Sequence, residues 1–173
     1  MSCQRRVELP MLYPLPDASL ISHQGKQVAL RQMKGRVVVY DFIFTSCGGA
    51  CPLMTRAMQQ LVSDFKPDEK IQFVSISVDP KHDTPAVLSD YARKWTSDGR
   101  WLFLTGDLDT ISALAVKGFK LAATQPGAGA EALLHSSKFV LVDKTGFVRG
   151  YYDSTEHSAL TSLQADARAL IQE

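Results

Sequence analysis

The stretch FIFTSCGGACPLMT, residues 42–55, sets Cys47 and Cys51 four residues apart where an apolar run gives out. Upstream, RVVVYDFIF (36–44) is β-branched and aromatic and has the length of an interior strand. Downstream, Met54, Met58, Leu61, Val62 and Phe65 recur at intervals of three and four and draw one apolar stripe along a helix. A second strand-like run, KIQFVSISVD (70–79), follows. Strand, helix, strand at this spacing predicts a right-handed βαβ unit with parallel strands. The cysteines fall on its first turn.

Positions i and i+4 share a helical face with Cα atoms about 6 Å apart, in the upper part of the range a disulfide tolerates. Redox pairs of the CxxC type stand three apart, so the extra residue weakens a plain oxidoreductase reading. Thiols at a strand-to-helix turn feel the positive end of the helix dipole and are expected to lose protons more easily. Two soft thiolates suit copper(I), zinc or an iron–sulfur cluster, but no further cysteine lies nearby and a structural zinc needs four ligands. Adding one histidine makes three donors, which suits trigonal Cu(I); a tetragonal Cu(II) site would need another oxygen or nitrogen. The candidates are His23, His82, His135 and His157. His135 ends a glycine-rich stretch (120–135) and opens a strand, a connection that can approach the first βα turn of a thioredoxin-like sheet. His82, in VDPKHDTP, is the runner-up.

The remaining pattern sets the fold class. DTPAVLSDYARKWTSDG reads as a helix capped by Thr84 with Pro85 in its first turn and Leu88, Tyr91, Ala92 and Trp95 on its buried face. WLFLTG (101–106) reads as a short strand, and DLDTISALAVKGF as a helix opened by Asp107 with Gly118 near its end. SKFVLVDKTGFVRGYY places two strands about an Asp143–Gly146 turn, and the tail forms a helix capped near Ser154 or Thr155. Ahead of all this, SLISHQGKQVALRQMKGR reads as a small hairpin turning near Gly25. Parallel units first and an antiparallel hairpin last define a thioredoxin-like α/β fold, with a central mixed sheet flanked by helices and an N-terminal hairpin. One domain is expected over residues 1–173, with 1–17 an extended or flexible segment.

Bulk properties narrow the function classes. At 173 residues and 45% hydrophobic, the chain has enough apolar material for one soluble core. Its net charge is +1 and its 19 basic residues are dispersed, which argues against a nucleic-acid partner. No stretch approaches a membrane span, and MSCQRRVELP lacks the apolar centre of a signal peptide. Three cysteines are too few for a disulfide scaffold; Cys3 reads either as a lipid attachment point or as an unmodified thiol.

From LRQMKGRVVVYDFIFTSCGGACP through VSISVDPKHDTPAVLSDYARKW and LTGDLDTISALA to HSSKFVLVDKTG, the chain resembles the Sco (SenC) family of thioredoxin-like copper chaperones. In that family a CxxxCP pair and one distant histidine bind copper for the dinuclear copper centre of cytochrome c oxidase. The resemblance implies Cys47, Cys51 and His135 as metal ligands, copper as Cu(I) or Cu(II), and the oxidase copper-site subunit as partner. It also implies a periplasmic or membrane-anchored protein whose export signal or anchor lies outside this sequence. Many members carry an acidic residue between the cysteines and an Asp before the histidine; here stand Gly48, Gly49, Ala50 and Leu134. The dinuclear copper motif itself needs a histidine four residues past the second cysteine, where this chain has Thr55, so Met54 and Met58 read as core. Two other functions stay open. One is a thiol–disulfide reductase using Cys47 and Cys51 with a thioredoxin-like reductant. The other, on a loose resemblance of TSCGGACPL to glutathione peroxidase sites, is a thiol peroxidase, for which the supporting Gln and Trp residues are missing. Delivery of copper by itself requires no catalytic turnover.

Overall fold

The strand after Arg36 is buried along its whole length, which requires cover on both of its faces, and the fold is the means of supplying that cover. The structure, a computed structural model, describes residues 8–67, 69–121 and 136–173. In chain order the elements are β1 (Tyr13–Pro14), β2 (Ser19–Ser22), β3 (Gln27–Ala29), β4 (Val37–Ile43), α1 (Ala50–Asp64) and β5 (Ile71–Ser77). They continue with α2 (Pro85–Trp95), β6 (Trp101–Thr105), α3 (Leu108–Ala113), β7 (Lys138–Val142), β8 (Phe147–Asp153) and α4 (His157–Gln172). The strands form one sheet in the order β1-β8-β7-β4-β5-β6-β2-β3. β4, β5 and β6 run parallel, while β7 pairs antiparallel with β4 and forms a hairpin with β8. This is the thioredoxin-like mixed sheet that the element order predicts.

Alternation along β4 divides the core in two. Val37, Val39 and Ile43 face α1, α2 and α4, meeting Met54, Met58, Leu88, Ala92, Leu163 and Leu170. Val38, Tyr40 and Phe42 face the other way, against Ile111 of α3 and the Leu114–Phe119 segment. Met54 and Met58 are 2% and 0% exposed, so their stripe is packing, worth roughly 1.5–3 kcal/mol for each fully buried side chain. Trp101 is core as well, whereas Trp95 is only half-buried at the edge.

Several local expectations shift by a residue or an element. α4 starts later than Ser154 or Thr155: Glu156 precedes its first residue with no side-chain cap, because Thr155 instead donates its hydroxyl to Asp153. The Asp107 carboxylate does cap α3, accepting from the Thr110 N–H at 2.9 Å, but the α-helix ends after six residues and passes into a π-turn over Leu114–Gly118. Gly25 and Gly146 both take positive φ at the tips of their hairpins. Among the described residues before β2, Tyr13–Pro14 adds an edge strand to β8. Arg149, 5% exposed, ties that segment down by donating to the carbonyls of Leu9 and Pro10 and to the carboxylate of Asp143. Among the described residues, no helix is long and apolar enough to cross a membrane.

Candidate metal site at the first strand-to-helix turn

β4 emerges from the sheet at Ile43, and the chain turns at once, the Cys47 N–H donating to the Phe44 carbonyl at 3.2 Å. α1 begins three residues later behind Gly49, where no side chain caps the helix. Cys51 sits in the first turn of α1, 3% exposed, packed with Met54 and Met58; Cys47 is half-exposed above it. Both cysteines are reduced, and their thiols are hydrogen-bonded to each other. Thr55 donates its hydroxyl to the Cys51 carbonyl at 2.8 Å and meets the Tyr91 hydroxyl at 3.0 Å, which fixes this turn of helix against α2.

The thiols differ from the helix-dipole expectation. Burial pushes the Cys51 thiol up to about 12, reinforced by its hydrogen bond with Cys47 and by the Asp41 and Cys47 charges, so its position in the first helical turn does not make it acidic. A bound cation reverses that balance, since a coordinating thiol gives up its proton to the metal's field.

Two buried carboxylates flank the cysteines. Asp83, 0% exposed at the end of the loop after β5, accepts from the Thr45 N–H at 3.0 Å, the Thr45 hydroxyl, the Ser77 hydroxyl at 2.6 Å and His82 Nδ1 at 2.9 Å. Burial alone would raise its pKa, but the hydrogen bonds from Ser77, Thr45 and His82 outweigh it and hold the carboxyl below its ordinary value. Asp41 is equally buried, on the α1 face of β4 in register with Ser75 of β5. Neither of its oxygens meets a hydrogen-bond partner among the described residues. Burial therefore pushes it up to about 7, opposed by Ser75 beside it, whose hydroxyl already accepts the Trp101 indole N–H at 3.0 Å.

Of the candidate ligands, the structure brings Cys47 and Cys51 together. His135, like Cys3, lies outside the described residues. His82 stands beside the cysteine loop, 55% exposed in its side chain, its Nδ1 on Asp83 and 3.4 Å from the Thr45 hydroxyl. The Asp83 contact raises its pKa. His23 sits in the β2–β3 turn and bonds to β6: its Nδ1 accepts from the Phe103 N–H at 3.3 Å, and burial lowers its pKa. His157 is exposed at the start of α4. Asp79 takes the turn-forming role, its carbonyl accepting from the N–H groups of His82 and Asp83. Among the described residues, no three His, Cys, Asp or Glu side chains stand close enough to hold one ion. Sequence reasoning missed Asp41 and Asp83. A lone carboxylate inside VVVYDFI is a visible signal for Asp41; Asp83, just ahead of the Thr84 cap, carries no mark that separates it from an ordinary helix-entry residue.

A thioredoxin-like sheet carrying a dithiol on its first strand-to-helix turn defines a class of thiol- and metal-handling proteins. Within it, the chain belongs to the SCO1/SenC family, whose model matches residues 16–171. A SCO1 protein homolog of Bacillus subtilis is 32% identical over 168 residues, covering 95% of this chain and 86% of the relative. The solved structure of BsSco, a member of the Sco family of cytochrome c oxidase assembly proteins described with a disulfide switch, is 31% identical with a TM-score of 0.83, covering 97% of this chain and 99% of that one. Copper-bound ScoI of Bradyrhizobium japonicum shares the fold at a TM-score of 0.73 and 22% identity, over 91% of this chain and 99% of that one.

Proposed function

We propose that this protein is a copper-delivery protein in which the Cys47 and Cys51 thiolates and the His135 imidazole hold one copper ion. It passes the ion by ligand exchange to the copper-site subunit of cytochrome c oxidase. The observation that carries the reading is the pair of sulfurs in hydrogen-bond contact, one half-exposed and one buried, on the fold of a family with copper-bound members. Soft thiolates favour Cu(I), and an added imidazole completes a trigonal set. With that client the protein works outside the cytoplasm, in the periplasm or held at its membrane. Anaerobic titration of the reduced protein should reach one copper per chain, with sulfur-to-copper charge-transfer absorption. His135→Ala should weaken binding by about tenfold or more and alter the Cu(II) spectrum. Unchanged affinity and spectrum would remove His135 from the ligand set.

A second reading is favoured by the burial difference between the sulfurs. As a thiol–disulfide reductase, the more exposed Cys47 would attack a client disulfide to form a mixed disulfide. Cys51 would then resolve it, releasing the client dithiol and leaving Cys47–Cys51 oxidised until a thioredoxin-like reductant restores two electrons. Client reduction at an equal rate with and without copper would favour this reading over delivery.

A further inference from the structure

We propose that His82 is a copper-docking residue, whose Nε2 takes the incoming ion first and hands it to Cys47. The inference rests on the copper reading above and adds a step to it. Asp83 is wholly buried and bonded to two elements at once, accepting Thr45 from the cysteine loop and Ser77 from the end of β5. It also receives His82 Nδ1 at 2.9 Å, which fixes the ring and places the proton on Nδ1. The Nε2 lone pair is then left on the far side of the ring, on a side chain 55% exposed to solvent. A carboxylate that orients an imidazole through one nitrogen and leaves the other for a metal is the arrangement by which proteins prepare histidine ligands. Nothing in the sheet requires it here, since Asp83 already has three other donors and the imidazole packs into no core.

Position makes the assignment specific. The ring lies 3.4 Å from the hydroxyl of Thr45, two residues before the half-exposed Cys47 on the same loop. Cys51 is buried behind it. An ion arriving from solvent therefore meets the exposed imidazole and Cys47 before it can reach Cys51. No three donors stand together among the described residues, so His82 is not a resting ligand of the same site but a transit ligand. The exchange balances simply. The donor's ligand leaves as the Nε2–copper bond forms. Then the Cys47 sulfur–copper bond forms as the Nε2–copper bond breaks, with the thiol proton passing to solvent and the copper oxidation state unchanged.

The test mixes the reduced full chain with the Cu(I)–bicinchoninate complex under argon and follows loss of its colour by stopped flow. His82→Ala should reach the wild-type end point about tenfold more slowly. His82→Arg, which presents a positive charge at this position but has no lone pair to give, should be equally slow. Wild-type rates in both variants overturn the docking role and leave the copper site standing. A wild-type chain that takes up no copper overturns the copper reading, and the docking role with it. A further measurement separates ligation from a structural effect: in Cys51→Ser, equimolar Cu(I) should move the His82 Nε2 nitrogen resonance while Nδ1 stays on Asp83. An unmoved Nε2 resonance is equally fatal to the proposal.

Discussion

Asp41 and Asp83 are both 0% exposed and lie on either side of the same cysteine loop, yet they sit in opposite physical states. The loop after β5 surrounds Asp83 with donors from Thr45, Ser77 and His82, so its charge is stabilised and the loop is pinned to the sheet. Asp41 shares its face of β4 with Val39 and Ile43 beneath α1, neither of its oxygens has a hydrogen-bond partner among the described residues, and only Ser75 beside it opposes the effect of burial. Burial itself decides neither outcome; the donors that arrive with it do. One carboxylate builds the site and the other burdens the core beneath it.

The largest effect should come from relieving Asp41. Its folded pKa is raised to about 7 from 3.8, so the folded state holds a proton that the unfolded chain releases, and stability falls as pH rises between those values. Asp41→Asn should therefore gain stability over wild type above pH 7, by up to on the order of 4 kcal/mol, and little near pH 4. Urea unfolding at the two pH values measures the difference; a variant less stable than wild type at high pH would reverse the assignment of strain to this residue.

Next in size, Asp83→Ala should cost about 3 kcal/mol near neutral pH, because the Thr45 and Ser77 donors lose a buried acceptor. Amide exchange at Thr45 should accelerate in the same variant. The Asp83 carboxyl is held below 3.8, so its contribution is whole above that value and is lost as pH falls through the folded pKa. The gap between wild type and Asp83→Ala should accordingly close in acid, the opposite slope to that of Asp41. A gap independent of pH would mean that packing, not charge, holds the loop.

A smaller loss, about 1 kcal/mol, is expected for Thr45→Val, which removes one hydroxyl donor and keeps the backbone contact to Asp83. Equilibrium unfolding resolves a change of that size. The smallest effect on stability belongs to His82→Ala, which should move the unfolding midpoint less than Thr45→Val does, because its bond to Asp83 is made from a side chain 55% exposed to solvent and Asp83 keeps its Thr45 and Ser77 donors. A clear destabilisation there would make His82 a structural partner of Asp83 rather than a residue waiting for a metal.

Much of the architecture is legible in the chain. The apolar run into Cys47, the stripe from Met54 to Phe65 and the Asp143–Gly146 turn each carry a local period or turn chemistry, and each appears where that pattern predicts. The later helix start behind Glu156 and the π-turn at Leu114–Gly118 arise where competing local hydrogen bonds, not periodicity, decide the boundary.

By itself the sequence determined the βαβ order, the placing of Cys47 and Cys51 at the first strand-to-helix turn and the core role of the methionines, because periodicity acts between near neighbours; that only Cys51 is helical, with Cys47 in the loop ahead of α1, came from the structure. Only the tertiary structure decided that Cys51 is buried and resistant to deprotonation, that Asp41 meets no donor among the described residues, and that Asp83 joins Thr45 to His82. Those properties depend on which donors and apolar groups converge from distant parts of the chain, as Thr45 and Asp83 do across 38 positions, and no local pattern encodes that convergence.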